Sequence, residues 1–452
     1  MRDLFFDAMK SHEAEYIEIR YEESAATYIE YRGSRLEEIS RTRNSGGSVR
    51  TLVKGGWGFV SFNYLEGLWD KVELAVKEAR LASGDPLRLS LRDPIVETVE
   101  PQLGKDSAKV PLTTKKELMD EYNTIMLSSP RIQSSRVVYR DIRRKVIFAN
   151  SQGCYIEQIK PDLAIRLTAV ARDNSEIQQA GLSLGSTGDF SAIEGLHERV
   201  AEIARRAAAL LSAPQVKGGE YTVILDPILA GVFVHEAFGH LSESDFVYQN
   251  EQLRNIMVLG SRFGGKHLNI IDDATIPNLR GSYKYDDEGV PSSKTYLIRE
   301  GILVGRLHSR ETAARMGEKP TGNARALSYL FSPIVRMSNT YIEPGDASLE
   351  EMLSEIKEGV YVKDWYGGTT SLEMFTFSAG EAYMVRQGRL AELLRSPVLS
   401  GNVFITLENI DAIGNDLEMN QGGGCGKAGQ SPLPVSNGSP HIRIHHCVLG
   451  GR

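Results

Sequence analysis

No stretch of this 452-residue chain approaches the roughly 20 consecutive apolar residues that a membrane-spanning helix requires. The opening residues 1–7 also lack the uninterrupted apolar core of a signal peptide, because Asp3 and Asp7 break it. A cytoplasmic protein with no membrane partner is therefore expected. Cysteine is scarce: Cys154, Cys425 and Cys447 are odd in number, which argues against a disulfide framework and leaves thiolate chemistry or metal ligation open. Positive charge is not in excess either. With 52 basic against 59 acidic residues, a net charge of −7, the chain gives no reason to expect a nucleic-acid partner.

What is present is ordinary globular composition in a chain too long for one small core, so two domains are expected. Residues 14–21 alternate apolar and charged side chains with the period of a strand, more strands follow to about residue 63, and Trp69, Val72, Leu74, Ala75 and Ala79 then recur at helical spacing. After a polar, proline-bearing stretch a similar order returns: a helix near 115–127, strands over about 133–171, and a helix over about 192–211. An internal duplication and a single unduplicated domain both fit this loose repeat. Pro214, Gly218 and Gly219 interrupt both periodicities, which sets the boundary between an N-terminal α/β domain over 1–215 and a C-terminal domain over 216–452. The second domain shows short alternating segments between Gly, Asn and Pro turns, as expected of a mainly antiparallel, barrel-like β domain. The fold class is thus α+β.

One helix stands out in that second domain. Asp226-Pro227 supplies an N-cap and a proline at the first helical position. The helix directs Ile228, Leu229, Val232 and Phe233 to the core and delivers His235-Glu236-Ala237-Phe238-Gly239-His240 at its end. Two histidines flanking a glutamate are the elements of a zinc peptidase site, but there they normally lie four apart, one turn of helix. A separation of five rotates the second histidine roughly 140° away on a straight helix. Sharing one ion therefore requires either a π-bulge or a bend at Gly239.

Such a site needs a third ligand. The candidates are Glu243 and Asp245 just downstream, Cys425, and the C-terminal His441, His445, His446 and Cys447. Cys425 lies among Gly422, Gly423, Gly424 and Gly426, which let backbone approach another element closely. The same glycines equally describe a flexible turn carrying a free thiol. Alternation in His441-Ile442-Arg443-Ile444-His445 points those polar side chains to the solvent face of a strand.

The histidine motif with Glu243-Ser244-Asp245-Phe246 resembles the metal-binding stretch of the TldD/PmbA peptidase family. The similarity continues through Asp286-Asp287-Glu288-Gly289-Val290-Pro291, Thr321-Gly322-Asn323-Ala324-Arg325, Arg336-Met337-Ser338-Asn339-Thr340-Tyr341, Gly414-Asn415-Asp416-Leu417 and Cys425-Gly426-Lys427-Ala428-Gly429-Gln430. These segments occur in the family's order and span most of 216–452. The N-terminal half matches more loosely, around residues 53–61.

The resemblance implies a TldD-type metallopeptidase, since the PmbA (TldE) subunits lack the histidine motif. It implies zinc as cofactor, with iron as the other native metal in question, held by His235, His240 and Cys425. It further implies Glu236 as the general base for metal-activated water, unfolded peptides or leader segments as substrates, and a dimer with a PmbA/TldE-like partner or with itself. A closed structural metal site and a non-catalytic partner subunit are the rival classes, and Glu236 discriminates against the first, which has no need of a carboxylate beside its ligand.

Overall fold

Two hairpins of exceptional strand length organise the N-terminal half. In the computed structural model, which describes residues 1–451 apart from 11, 83, 91, 92 and 372, the chain runs through α1 (Arg2–Lys10), β1 (Tyr16–Arg32), β2 (Arg35–Val53), β3 (Gly56–Phe62) and α2 (Leu68–Leu81). It continues through β4 (Val96–Val99), α3 (Leu112–Leu127), β5 (Ile132–Asn150), β6 (Tyr155–Asp173), β7 (Glu176–Ser186) and α4 (His197–Leu210). The order α-β-β-β-α thus occurs twice, and the halves join where β1 pairs antiparallel with β5, from Glu18 opposite Asn150 to Arg32 opposite Arg136.

Strands this long hold because one face is covered at two places. Odd-numbered residues of β1 share a face. At one end Ile17, Ile19 and Tyr21 pack with Phe5 of α1 and Val72 and Ala75 of α2. At the other, Ile29 and Tyr31 pack with Met119 and Tyr122 of α3 and Val200 and Ile203 of α4. In α2 the buried stripe is Leu68, Val72, Ala75, Val76 and Ala79. Trp69 and Leu74, expected on that stripe, stay 44% and 48% exposed because the helix rolls its inward face toward Leu68 and Val76.

The opposite face of the sheet turns toward the C-terminal half and is charged. Arg20 and Lys160 reach Asp287 at 3.4 and 2.9 Å, and Arg50 reaches Glu288 at 2.5 Å, all five carboxylate and cation partners being at least half-buried. Arg280 grips Asp162 through two contacts of 2.5 and 2.9 Å. Asp286 holds the loop that carries these acids, accepting N–H bonds from Glu288, Val290 and Ala324.

In the C-terminal half five strands close into a barrel. β8 (Gly219–Leu225) pairs parallel with Glu358–Ser371, which pairs with Met374–Arg386, then Pro397–Asn402, then Ile442–Gly451, which returns to β8, the last four pairings being antiparallel. Closure leaves no free edge within the ring. Its core takes alternate residues such as Val223, Leu225, Val360, Val362, Phe375 and Phe377. A smaller sheet runs beside it, with Ile270–Asp273 paired to Lys294–Arg299 and Asn339–Ile342. Asp272 in that sheet accepts bonds from Asn323, Ser338 and Thr340, so two of the shared motifs meet on one carboxylate.

The alternation at 441–445 is real, but His441 and Arg443 are not solvent-facing: both are 8% exposed. The outer face there is covered, Arg443 by Asp411 and the Met352 carbonyl, His441 by Asp416 and Tyr361. Among the described residues no helix is long and apolar enough to cross a membrane.

Candidate metal centre

The site is built on α5 (Pro227–Val234), which leaves β8 with no intervening loop. Asp226 caps it, its Oδ1 accepting the Leu229 N–H at 2.9 Å, and Pro227 occupies the first turn. Leu229, Val232 and Phe233 are buried, Phe233 stacking edge-on against Phe375 at 5.4 Å.

At His235 the helix widens. Residues His235–Gly239 form one π turn, in which the His240 N–H donates to the His235 carbonyl five residues back. A single 3-10 turn, His240–Ser242, ends the segment. Gly239 permits this course, since a Cβ there would lie 2.0 Å from Met337 Sδ. The extra residue per turn removes the rotation that a straight helix would impose. The His235 and His240 rings then lie 5.3 Å apart, centre to centre, nearly perpendicular.

Cys425 comes to the same point from Cys425–Lys427, a short strand hairpinned onto Gln430–Leu433. The buried Arg336 anchors that hairpin through the carbonyls of Cys425 at 2.9 Å and Gln430 at 3.2 Å. Sγ of Cys425 lies 3.5 Å from His240 Nε2, and donor atoms of His235, His240 and Cys425 all fall within 4.8 Å of one another. Two imidazoles and a thiolate suit zinc or another thiophilic divalent ion. The 3%-exposed His235 has a buried Nδ1 without a hydrogen-bond partner among the described residues, an atom whose desolvation calls for a ligand. The residues fit the metal.

Charge alternates outward from this set. Burial alone would raise the Cys425 thiol, but His235 and His240 reverse it and bring it down to about 5. Burial would lower His240, whereas Glu243 and Cys425 raise it well above the ordinary imidazole range. Glu243, also pushed up by burial, is brought down to about 2 by Lys427 and His240. Its Oε2 lies 3.0 Å from His240 Nδ1 and 3.1 Å from Lys427 Nζ. Lys427 further donates to Asp245 at 2.6 Å and to the Val335 carbonyl, with its ammonium 4.2 Å over the Phe246 ring.

This distribution separates the sequence candidates. Glu243 bonds the far nitrogen of His240, and Asp245 is engaged by Lys427, so neither joins the three clustered donors. His441 pairs with Asp416 at 2.5 Å, His445 with Asp411 at 3.1 Å and His446 with Glu220 at 2.6 Å. Cys447 is buried in the barrel wall, where burial pushes its thiol up to about 12. Lys427 and Arg336 went unnoticed as site residues. The only sequence signal for Lys427 was its place two residues after Cys425.

Glu236 stays 27% exposed, its Oε2 3.9 Å from His240 Nε2. It and His235 open onto a cleft of about 1030 Å³ between β5, β6, β7 and α4 on one side and α5 with residues 421–424 on the other. The glycines of 422–424 serve a close approach: a Cβ on Gly422 would lie 2.3 Å from the Ser183 carbonyl oxygen of β7. A water-accessible carboxylate beside a three-donor metal set, in a cleft of this size, is equipped to accept a proton from water attacking a bound carbonyl.

Comparison with known proteins agrees with this chemistry. Residues 17–83, 105–212 and 218–451 match, in turn, domain 1, the central domain and the C-terminal domain of PmbA/TldA metallopeptidases. A metalloprotease of Synechocystis is 47% identical over 441 residues, covering 97% of this chain and 95% of that protein. A zinc metalloprotease TldD homolog of Saccharolobus solfataricus is 31% identical, covering 97% of each. Among solved structures, TldE from Thermococcus kodakarensis superposes with a TM-score of 0.79 at 18% identity over 100% of both chains. A putative modulator of a DNA gyrase from Thermotoga maritima does so with 0.78 at 20% identity over 99% of both. At these identities the two structures are similar in fold.

Proposed function

The chain belongs to the PmbA/TldD metallopeptidase family and is a peptidase, and from that premise we propose that His235, His240 and Cys425 hold a zinc ion with which it cleaves unfolded peptides or leader segments. The observation that carries this reading is the convergence of those three donors within 4.8 Å beside a carboxylate at the cleft. A zinc ion bound there supplies a Lewis acid that lowers the pKa of water to near 7 and draws charge from a carbonyl oxygen.

Glu236 takes the proton of the attacking water and passes it to the leaving amine, a transfer its exposed carboxylate can make without rearranging the core. Glu243 fixes the His240 ring through Nδ1, which leaves Nε2 as the donor atom. A cleft of about 1030 Å³ suits an extended chain better than a folded domain. Main-chain recognition of such a chain would give broad sequence tolerance.

Iron is the alternative metal. We further propose that the protein acts in the cytoplasm as a dimer, with a TldE-like partner or with itself, and that its two domains divide at 215/216, between the matched segments ending at 212 and starting at 218. The test is metal analysis of the purified chain followed by a peptidase assay on a denatured protein, with and without a TldE-like subunit. A metal-loaded chain that cleaves nothing in either form disproves the reading.

A further inference from the structure

The wall of the cleft opposite Glu236 is a β-sheet face, and two of its arginines have no partner among the described residues. Arg140 on β5 stands opposite Tyr28 of β1 and Ala164 of β6. Arg166, two residues beyond Ala164, stands opposite Val138 of β5 and Ser183 of β7. Period-two alternation puts both arginines on the same face, as diagonal neighbours about 7–8 Å apart by the ordinary geometry of a sheet. Both line the cleft that His235 and Glu236 also line.

Neither guanidinium makes a hydrogen bond or ion pair within the described residues. Two acids of the sheet, Asp162 and Glu30, are committed elsewhere. Asp162 is taken by Arg280 through both oxygens, and Glu30 is shared by Tyr28, Arg32 and Arg136 at 2.7 to 3.0 Å. Both arginines stay exposed to the solvent of the cleft, and the like charges of Arg144 and Arg280 near Arg140 are opposed by that of Asp162. Two like charges side by side in a partly enclosed cleft repel, and an anion placed between them relieves both. The sheet wall is also fixed in height over the metal set: a Cβ on Gly185, next to Ala164, would lie 2.3 Å from the Gln421 carbonyl oxygen, four residues before Cys425.

We infer that Arg140 and Arg166 form a carboxylate-binding subsite that sets the register of the peptide against Glu236, the carboxylate being an acidic side chain or the C-terminus of the substrate. This rests on the peptidase reading above and deepens it. Planar guanidinia bind carboxylates in paired hydrogen bonds, so the subsite discriminates charge and geometry where the rest of the cleft reads main chain.

The test uses fluorescent peptides in matched pairs, Glu against Gln at one position and free acid against amide at the C-terminus. Binding is read by anisotropy on the full chain carrying Glu236→Gln, so that no turnover intervenes. The acid member of one pair binds about tenfold more tightly, which identifies the source of the carboxylate. Arg140→Gln with Arg166→Gln abolishes that ratio, Arg140→Lys with Arg166→Lys keeps part of it, and salt raised toward 1 M shrinks it. Equal affinity within every pair, or a ratio that survives the double Gln substitution, overturns the subsite. Peptide cleavage by the unsubstituted chain without carboxylate preference overturns the subsite alone, whereas no cleavage of any peptide overturns the reading beneath it as well.

Discussion

Lys427 closes an ion pair with the buried Glu243 at 3.1 Å, and by doing so ties the hairpin of Cys425 to the helix end of His240. The two segments are more than 180 residues apart in sequence, and the donor set exists only while they are joined. Glu243→Gln keeps the shape but removes the charge that holds both Lys427 and the His240 ring. Metal affinity should fall about 10- to 100-fold, as for other outer-shell partners of a ligating histidine. Competition with a chromogenic chelator measures it, and an unchanged affinity would mean that Glu243 contributes only to packing.

Removing a donor and removing the base should have opposite signatures. His235→Ala or His240→Ala leaves two ligands, and the metal should be lost on dialysis. Glu236→Gln should retain about one metal per chain and lose hydrolysis by a factor of about 10²–10⁴. Elemental analysis beside a peptidase assay separates the cases. Normal turnover by Glu236→Gln would assign the base elsewhere.

The two C-terminal thiols differ in a way alkylation can read. Cys425 is held down to about 5 by two imidazoles, while burial lifts Cys447 to about 12. After chelation, iodoacetamide near pH 7 should modify Cys425 and spare Cys447, and bound metal should protect Cys425. Peptide mass mapping decides. Modification of Cys425 at equal rates with and without metal counts against its role as ligand.

Asp226 gives the stability a pH dependence of unusual sign. Burial, then the charge of Asp364, raises its carboxyl from 3.8 to about 7, against the N–H bonds of Leu229 and Asp364 and the charge of Lys363. A raised folded value means that the native state holds a proton the unfolded chain has released. Its contribution is therefore full below pH 3.8 and is lost as the pH rises through about 7. Asp226→Asn keeps the oxygen that caps α5 and removes the titration. Relative to the unsubstituted chain it should gain stability, on the order of a few kcal/mol, between pH 5 and pH 8. Urea unfolding at the two pH values measures the difference, and parallel curves would contradict it.

Gly239→Ala should disturb the π turn, because the new methyl would meet Met337 Sδ. A cost of about 1–3 kcal/mol is expected from overpacking, together with weaker metal binding. Met337→Ala in the same chain should restore both by opening the space. Failure of that rescue would show that Gly239 is needed for its backbone alone.

The chain announced α5 clearly, because an N-cap, a first-turn proline and an apolar stripe are local signals and Asp226-Pro227 sits where they require. The five-residue histidine spacing likewise narrowed the irregularity to a π-bulge or a bend at Gly239, and the structure has the π turn. What lay beyond local signals was the pairing of elements. Nothing in residues 425–427 marks Lys427 as the partner of Glu243, since the ion pair exists only after two remote segments meet. The cover over His441 and Arg443 was hidden for the same reason: alternation reveals that a strand has two faces but not what packs on the outer one. Nothing local in the sequence sets Arg140 and Arg166 apart from other strand arginines, since only the pairing of β5 with β6 brings them together on one side of the cleft.

The acidic loop at 286–288 bears on motion as well as on architecture. Asp287 and Glu288 draw Arg20, Arg50 and Lys160 out of the N-terminal sheet and hold them across the boundary between the halves. Opening the cleft by hinge would strand those buried charges, a cost of several kcal/mol for each pair broken. The aperture above Glu236 is therefore of fixed gauge. If the cleft takes peptides as proposed, a chain that enters must already be thin enough to thread it, and substrates would be sorted by calibre before any side chain is read.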